Sequence, residues 1–134
     1  MPTAFFDSSV LLYTLEKQDP RSEIARRLLL DGGIISVQVL NEFTYVSRRK
    51  LKLGWPLIEN SLSLIRRLCP QARPIDIETH ELALQIAQRY GYTIYDSLIV
   101  ASAIEAGCTM LYSEDMQDGQ RIGSVTICNP FGTH

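Results

Sequence analysis

The sequence predicts an α/β fold, a three-layer sandwich with a short, mostly parallel central sheet between helices. Three observations lead there. Short apolar runs, among them Ala4-Phe5-Phe6, Ile34-Ile35 and Met110-Leu111-Tyr112, alternate with longer segments of helical period. Asp19-Pro20, Gly32-Gly33 and Gly54-Trp55-Pro56 punctuate the chain where helices should start or stop. Strands separated by helices pair in parallel through right-handed crossovers, which puts helices on both faces of the sheet. The 134 residues suit one domain spanning 1–134 and are too few for two independent cores.

The elements follow in order. Residues 3–6 read as the first strand and 10–17 as the first helix. Asp19 is a good N-cap, and Pro20 suits the first helical position, where its missing N–H costs nothing. Gly32-Gly33 ends that helix. Ile34-Ile35 is a short buried strand, and Ser36 caps a helix running to about residue 51. Pro56 opens the next helix, which ends before Pro70, and residues 73–75 read as a short extended piece. Residues 79–90 place Leu82, Ile86, Ala87 and Tyr90 at helical spacing before Gly91. A last helix runs from about 94 to 106 and stops at Gly107, and residues 108–112 and 125–128 complete the strands.

Composition narrows the function. Hydrophobic residues at 46% supply a core, and charged residues at 21% are too few for intrinsic disorder. Cys69, Cys108 and Cys128 are odd in number and widely spaced, so buried, reduced thiols are expected rather than a disulfide framework. With only His80 and His134, no Cys/His zinc spacing can be assembled. The N-terminus lacks the basic flank and apolar run of a signal peptide, and nothing approaches the roughly 18 apolar residues of a membrane span. A cytoplasmic protein with no membrane partner is expected. The net charge of −2 exerts no general pull on nucleic acid, so any such partner needs local positive charge.

The predicted architecture directs attention to one edge. In parallel α/β sheets the carboxyl ends of the strands and the starts of the following helices share an edge, where ligands bind. Asp7 follows the first strand, Asp115 follows 110–112 by three residues, Glu42 lies about two turns into the helix after Ile34-Ile35, and Asp96 lies in the first turn of the last helix. Each also has an ordinary structural role open to it. Asp7 suits an N-cap, and Thr93-Ile94-Tyr95-Asp96 has the form of a capping box. Asp115 lies in a polar turn, with Asp118 a rival for its role. Asp96, however, is in line with the apolar Ile99, Val100 and Ala103, where an uncompensated charge is expensive. Glu42 has Gln38, Val39, Tyr45 and Val46 at the helical neighbour positions and so lacks a basic partner on its helix. Clustered carboxylates repel unless a cation lies between them, and oxygen-only donors suit Mg²⁺ or Mn²⁺, as one ion or two. Such an ion acidifies a bound water and offsets charge developing on a phosphodiester.

The segments around these acids, Phe6-Asp7-Ser8-Ser9-Val10-Leu11-Leu12-Tyr13, Val39-Leu40-Asn41-Glu42-Phe43, Tyr95-Asp96-Ser97-Leu98-Ile99-Val100-Ala101-Ser102-Ala103 and Leu111-Tyr112-Ser113-Glu114-Asp115, resemble in order and spacing the PIN-domain ribonucleases, in particular VapC-type toxins. The resemblance spans essentially the whole chain. It implies a PIN-like fold, Mg²⁺- or Mn²⁺-dependent endoribonuclease activity on RNA, a cognate antitoxin and a homodimer. By that match Asp7, Glu42, Asp96 and Asp115 are the catalytic and metal-binding acids, with Ser8, Ser113 and Asp118 as supports. Ser9 stands where many relatives carry Asn, which leaves its role open.

RNA would need a basic patch, and Arg48, Arg49, Lys50 and Lys52 cluster at the end of the helix carrying Glu42. Such residues also suit a helix C-terminus for its dipole alone. Arg26-Arg27 and Arg66-Arg67 are further pairs. Tyr92, Tyr95 and Tyr112 could stack bases, although core packing is the expected job of each. Two other readings compete. A catalytically silent module of the same fold would bind RNA or protein only. An aspartyl-phosphate phosphatase of the haloacid-dehalogenase type would want a second Asp where Ser9 stands.

Overall fold

In the computed structural model, which describes residues 4–132, Ala4–Phe6 forms β1, with Phe5 and Phe6 both buried as a central parallel strand requires. The expected strand residue Thr3 lies outside the described residues, as does His134. β4 (Met110–Tyr112) pairs in parallel with β1, Phe5 opposite Leu111, and β6 (Val125–Cys128) pairs in parallel with β4, Leu111 opposite Ile127. β5 (Arg121–Ile122) closes that edge antiparallel to β6. On the other side of β1, Ile34 bridges to Phe5 and leads into β2 (Ile35–Ser36), which pairs in parallel with β3 (Ala72–Arg73). The Ile34 amide donates to the Ala4 carbonyl and its carbonyl accepts from Phe6, both at 3.0 Å. Gly33 is required beside this bridge, because a Cβ there would come within 2.5 Å of the buried Phe6 ring.

The mostly parallel strands flanked by helices are as expected, but β2 and β3 form a two-stranded sheet beside the four-stranded one. β3 spans 72–73 rather than 73–75, and β4 starts at 110 rather than 108. Further differences have local causes. The antiparallel β5 was not anticipated, although Ile122-Gly123-Ser124-Val125 is a two-residue hairpin signal and Gly123 adopts φ 60°. The first helix is shorter than expected. α1 (Ser8–Leu12) gives way to a 3₁₀ turn at Tyr13–Leu15, where the Thr14 hydroxyl donates to the Leu11 carbonyl at 2.6 Å. The helix α5 (Ile77–Tyr90) starts two residues early, because Asp76 and Thr79 form a reciprocal capping box.

The remaining helices are α2 (Pro20–Asp31), α3 (Val37–Arg49), α4 (Trp55–Leu68) and α6 (Ile94–Glu105). The caps at Asp19 and Ser36 form as expected, accepting from the Arg21 and Val39 amides. Leu98, Ile99, Val100, Ala101 and Ala103 make α6 apolar nearly all round, as befits a helix buried between α5 and the sheet. Because α6 leads directly into β4 and packs back on it, its N-terminus lies over the carboxyl ends of the strands. All three cysteines are free; Cys69 and Cys108 are buried, but Cys128, at the end of a strand with one exposed face, is only half-buried. No helix among the described residues is long and apolar enough to cross a membrane.

Candidate active site

Asp7 leaves β1 at its carboxyl end, where its amide donates to the Tyr112 carbonyl of β4 at 2.9 Å. It occupies the N-cap position of α1, yet its side chain makes no capping bond. The carboxylate instead faces three hydroxyls. Its Oδ2 accepts from Ser113 at 2.7 Å and from Ser9 at 3.1 Å, and its Oδ1 lies 3.4 Å from the Ser8 hydroxyl, whose single proton it shares with the nearer Glu42. Ser113 also accepts from the amides of Asp115 and Met116, and Ser9 accepts from the amide of Glu114. The loop after β4 is thereby tied to the start of α1 through one carboxylate that is 1% exposed.

Glu42, on α3, meets the same cluster. Ser8 donates to its Oε1 at 3.0 Å and Gln38 to its Oε2 at 3.1 Å. Asp96, half-buried in the first turn of α6, makes only the Thr93 half of a capping box, its amide donating to the Thr93 hydroxyl at 3.1 Å. Its carboxylate, with those of Glu42 and Asp115, opens into a cleft of about 690 Å³ that Ser8, Ser9 and Asn41 also line. Four acids separated by up to 108 residues in sequence therefore gather at the carboxyl edge of the sheet.

Burial and mutual repulsion set their electrostatics. Burial pushes the Asp7 carboxyl up to about 7; the Ser113 hydrogen bond opposes this, and the charges of Glu42, Asp96 and Asp115 add to it. Asp96 is raised to about 6, by burial first and then by Glu42 and Asp115. Asp115 is also raised, by burial and by neighbouring Glu114, with Lys50 working in the opposite direction.

A family model described as the PIN domain matches residues 4–118, which include all four acids. The chain belongs to the PIN domain family. Two solved structures share its fold. VapC20 of Mycobacterium tuberculosis, described as a sarcin–ricin loop cleaving toxin, is 21% identical over 84% of this chain and 89% of that one, with a TM-score of 0.67. VapBC2 of Rickettsia felis, solved bound to a DNA fragment from its promoter, is 18% identical over 92% of this chain and 96% of that one, with a TM-score of 0.66. No curated protein matches the chain.

Within this PIN domain the other expected residues separate. Asp118 accepts from the Asn129 amide at 2.8 Å and is not among the residues lining the cleft. Of the basic cluster, Arg48 donates to the Leu53 carbonyl and lies over Trp55, and Lys52, in the loop after α3, adopts a left-handed conformation. Lys50 reaches a shallower extension of the cleft, lined also by Ser9, Glu114 and Asp115. Arg26 is spent on the carbonyls of Thr14 and Glu16. Arg66 and Arg67 line a separate groove between α3 and α4. Ser9, whose role the sequence leaves open, holds Asp7 and the Glu114 amide, and Gln38, one turn before Glu42, supplies that acid's donor.

The donor set of the PIN domain fits a hard divalent cation. It is all oxygen, and burial, with the charges of the other three acids, raises the pKa of its most buried member, Asp7. Among the described residues no three acids, histidines or cysteines close into a ready-made metal cage. Mg²⁺ characteristically keeps several waters and takes only one or two carboxylates directly, so an open rim of acids suits it better than a closed cage would.

Proposed function

We propose that this PIN domain is an endoribonuclease that hydrolyses RNA phosphodiester bonds with one or two Mg²⁺ or Mn²⁺ ions held by Asp7, Glu42, Asp96 and Asp115. The observation that carries the reading is a carboxylate 1% exposed at a strand end with three other acids close enough to raise its pKa. The sarcin–ricin loop cleavage described for VapC20 supports RNA as substrate and a toxin's role. The cognate antitoxin, the homodimer and a cytoplasmic place of action follow from the VapC resemblance.

A bound divalent ion would supply an acidified water and offset charge on the phosphoryl oxygens. The residues prepare for it. Ser113 and Ser9 occupy Oδ2 of Asp7, which leaves Oδ1, 3.4 Å from the shared Ser8 hydroxyl, as the oxygen for a cation. Gln38 and Ser8 fix Glu42 from both oxygens. Asp96 and Asp115 accept no hydrogen bond from the described residues, so their carboxylates remain available at the rim. Lys50, in the extension beside Asp115, places one positive charge where an RNA phosphate would continue from the acids.

The test is incubation of the purified protein with transfer, messenger and ribosomal RNA plus Mn²⁺, with any cut mapped to the nucleotide. Discrete cuts that vanish in excess chelator are expected. Cleavage that persists in chelator contradicts the metal-based reading, and tight RNA binding with no cut would favour the silent module. Lys50→Ala should weaken RNA binding uniformly across sequences and shallow the salt dependence by about 0.7 in log–log slope, the share of one single-strand phosphate contact. An unchanged slope in filter-binding measurements would exclude that contact.

A further inference from the structure

The carboxylates account for the floor of the cleft but not for two aromatic rings that also line it, Tyr45 and Tyr95. Core packing was the expected use of Tyr95, and the structure rules it out. Tyr95 is 60% exposed and Tyr45 59%, and neither belongs to the core cluster. By contrast, Tyr112 stacks on Phe6 at 5.9 Å and Tyr92 bonds to Gln120, so those two rings serve the fold. Tyr45 lies one helical turn beyond Glu42 on α3, which brings their Cβ atoms to about 5–6 Å. Tyr95 directly precedes Asp96 in the first turn of α6. Two exposed rings on different helices therefore stand beside two different acids of the same cleft.

We propose that Tyr45 and Tyr95 are positioning residues that stack unpaired bases next to the scissile phosphate; this rests on the nuclease reading above. A phosphate at the acids carries its bases outward, and each ring stands within about one nucleotide's reach of an acid. A tyrosine face accepts any base, so the two rings can hold the strand without reading its sequence. A base stacked in a helix cannot present its face, so the rings also select for nucleotides already splayed out at the cut. Arg49, with its guanidinium carbon 5.9 Å from the Tyr45 ring centre, adds positive charge beside that ring. A base stacked on either ring leaves its neighbouring phosphate beside the acids that share the lining, as cleavage requires.

The experiment is steady-state cleavage of one short RNA with a mapped cut, by wild type and by Tyr45→Phe, Tyr45→Leu, Tyr95→Phe and Tyr95→Leu. The same RNA is then tested with an abasic residue on each side of the cut. The phenylalanine variants should keep KM within about twofold, because the π face survives. The leucine variants should raise KM by roughly 5- to 100-fold with kcat little changed, the loss associated with one stacked base. One abasic substrate should cost wild type a similar factor and cost the matching leucine variant nothing further. Leucine variants with wild-type KM, or losses that multiply fully with the abasic substitution, overturn the assignment. So does a leucine variant whose oligomeric state changes in sedimentation while its cleavage does not. Wild-type protein that cuts no RNA removes the nuclease reading and this inference with it, whereas normal cutting by unaffected leucine variants removes the tyrosines alone. Both side chains are exposed, so thermal midpoints of the variants should match wild type.

Discussion

Asp7→Asn should abolish RNA cleavage and, in chelator, make the protein more stable than wild type. The two effects have one cause. The Asp7 carboxylate is buried, and that burial raises its pKa from 3.8 to about 7. For an acid raised in the folded state, the stability contribution is complete below the unfolded pKa and is lost as pH climbs through the folded one. Metal-free wild type should therefore weaken from about pH 4 to above pH 7, with a total loss of about 4 kcal/mol at most. An amide carries no charge to desolvate, and its oxygen can still accept from Ser113 and Ser9. Urea unfolding in chelator should show the asparagine variant gaining roughly 2–4 kcal/mol at pH 8 and little at pH 4. Cleavage in Mn²⁺ should fall by more than about 100-fold, beyond the usual effect of an outer-shell partner. A variant less stable than wild type at pH 8 would mean the carboxylate is already compensated. Full activity would remove Asp7 from the metal site. Asp96→Asn should lose cleavage as well but gain less stability, because its carboxyl is half in water and its shift is correspondingly screened.

How far such a site can be read from sequence depends on what kind of interaction places each residue. Asp7 and Asp115 were legible because strand exits are marked by apolar runs and a parallel sheet sends all its carboxyl ends to one edge. Asp96 reached the same edge by another route, since α6 follows a helix rather than a strand and is carried there by packing back along β4. The choice between N-cap and site residue at Asp7 was not decidable in sequence. It turns on hydroxyls from Ser9 and from Ser113, 106 residues away, and long-range side-chain bonds leave no local pattern. The short α1 and the early start of α5 depart from the periodicity for a local reason: side-chain bonds three residues apart, Thr14 to the Leu11 carbonyl and the Asp76–Thr79 box, accompany the helix ends there. The basic run at 48–52 looked uniform as text. The end of α3 then turned Arg48 to Trp55 and Lys50 to the cleft, a separation that depends on where the helix stops.

Mn²⁺ or Mg²⁺ should stabilise the protein far more at pH 8 than at pH 5. A carboxyl must lose its proton to bind a metal, so the metal-free pKa values set the pH dependence of affinity. At pH 5 the Asp7 group, at about 7, and the Asp96 group, at about 6, are both largely protonated. Displacing those protons lowers apparent affinity by about tenfold for each pH unit below each pKa, or about a thousandfold between pH 8 and pH 5. Because the acids interact, the protons belong to the cluster rather than to single residues, and the titration should be broad. Thermal midpoints at a fixed millimolar ion concentration should therefore rise by several degrees at pH 8 and barely move at pH 5. Calorimetric titration in two buffers of different ionisation enthalpy should count one to two protons released near pH 6, on the order of the groups displaced, falling toward none at pH 8. A shift in midpoint independent of pH, or binding that releases no protons at pH 6, would show that these carboxyls do not receive the ion. Asp7→Asn supplies the internal control: with the highest-titrating group gone, whatever pH dependence survives must come from Asp96 and its neighbours and should lie a full unit lower.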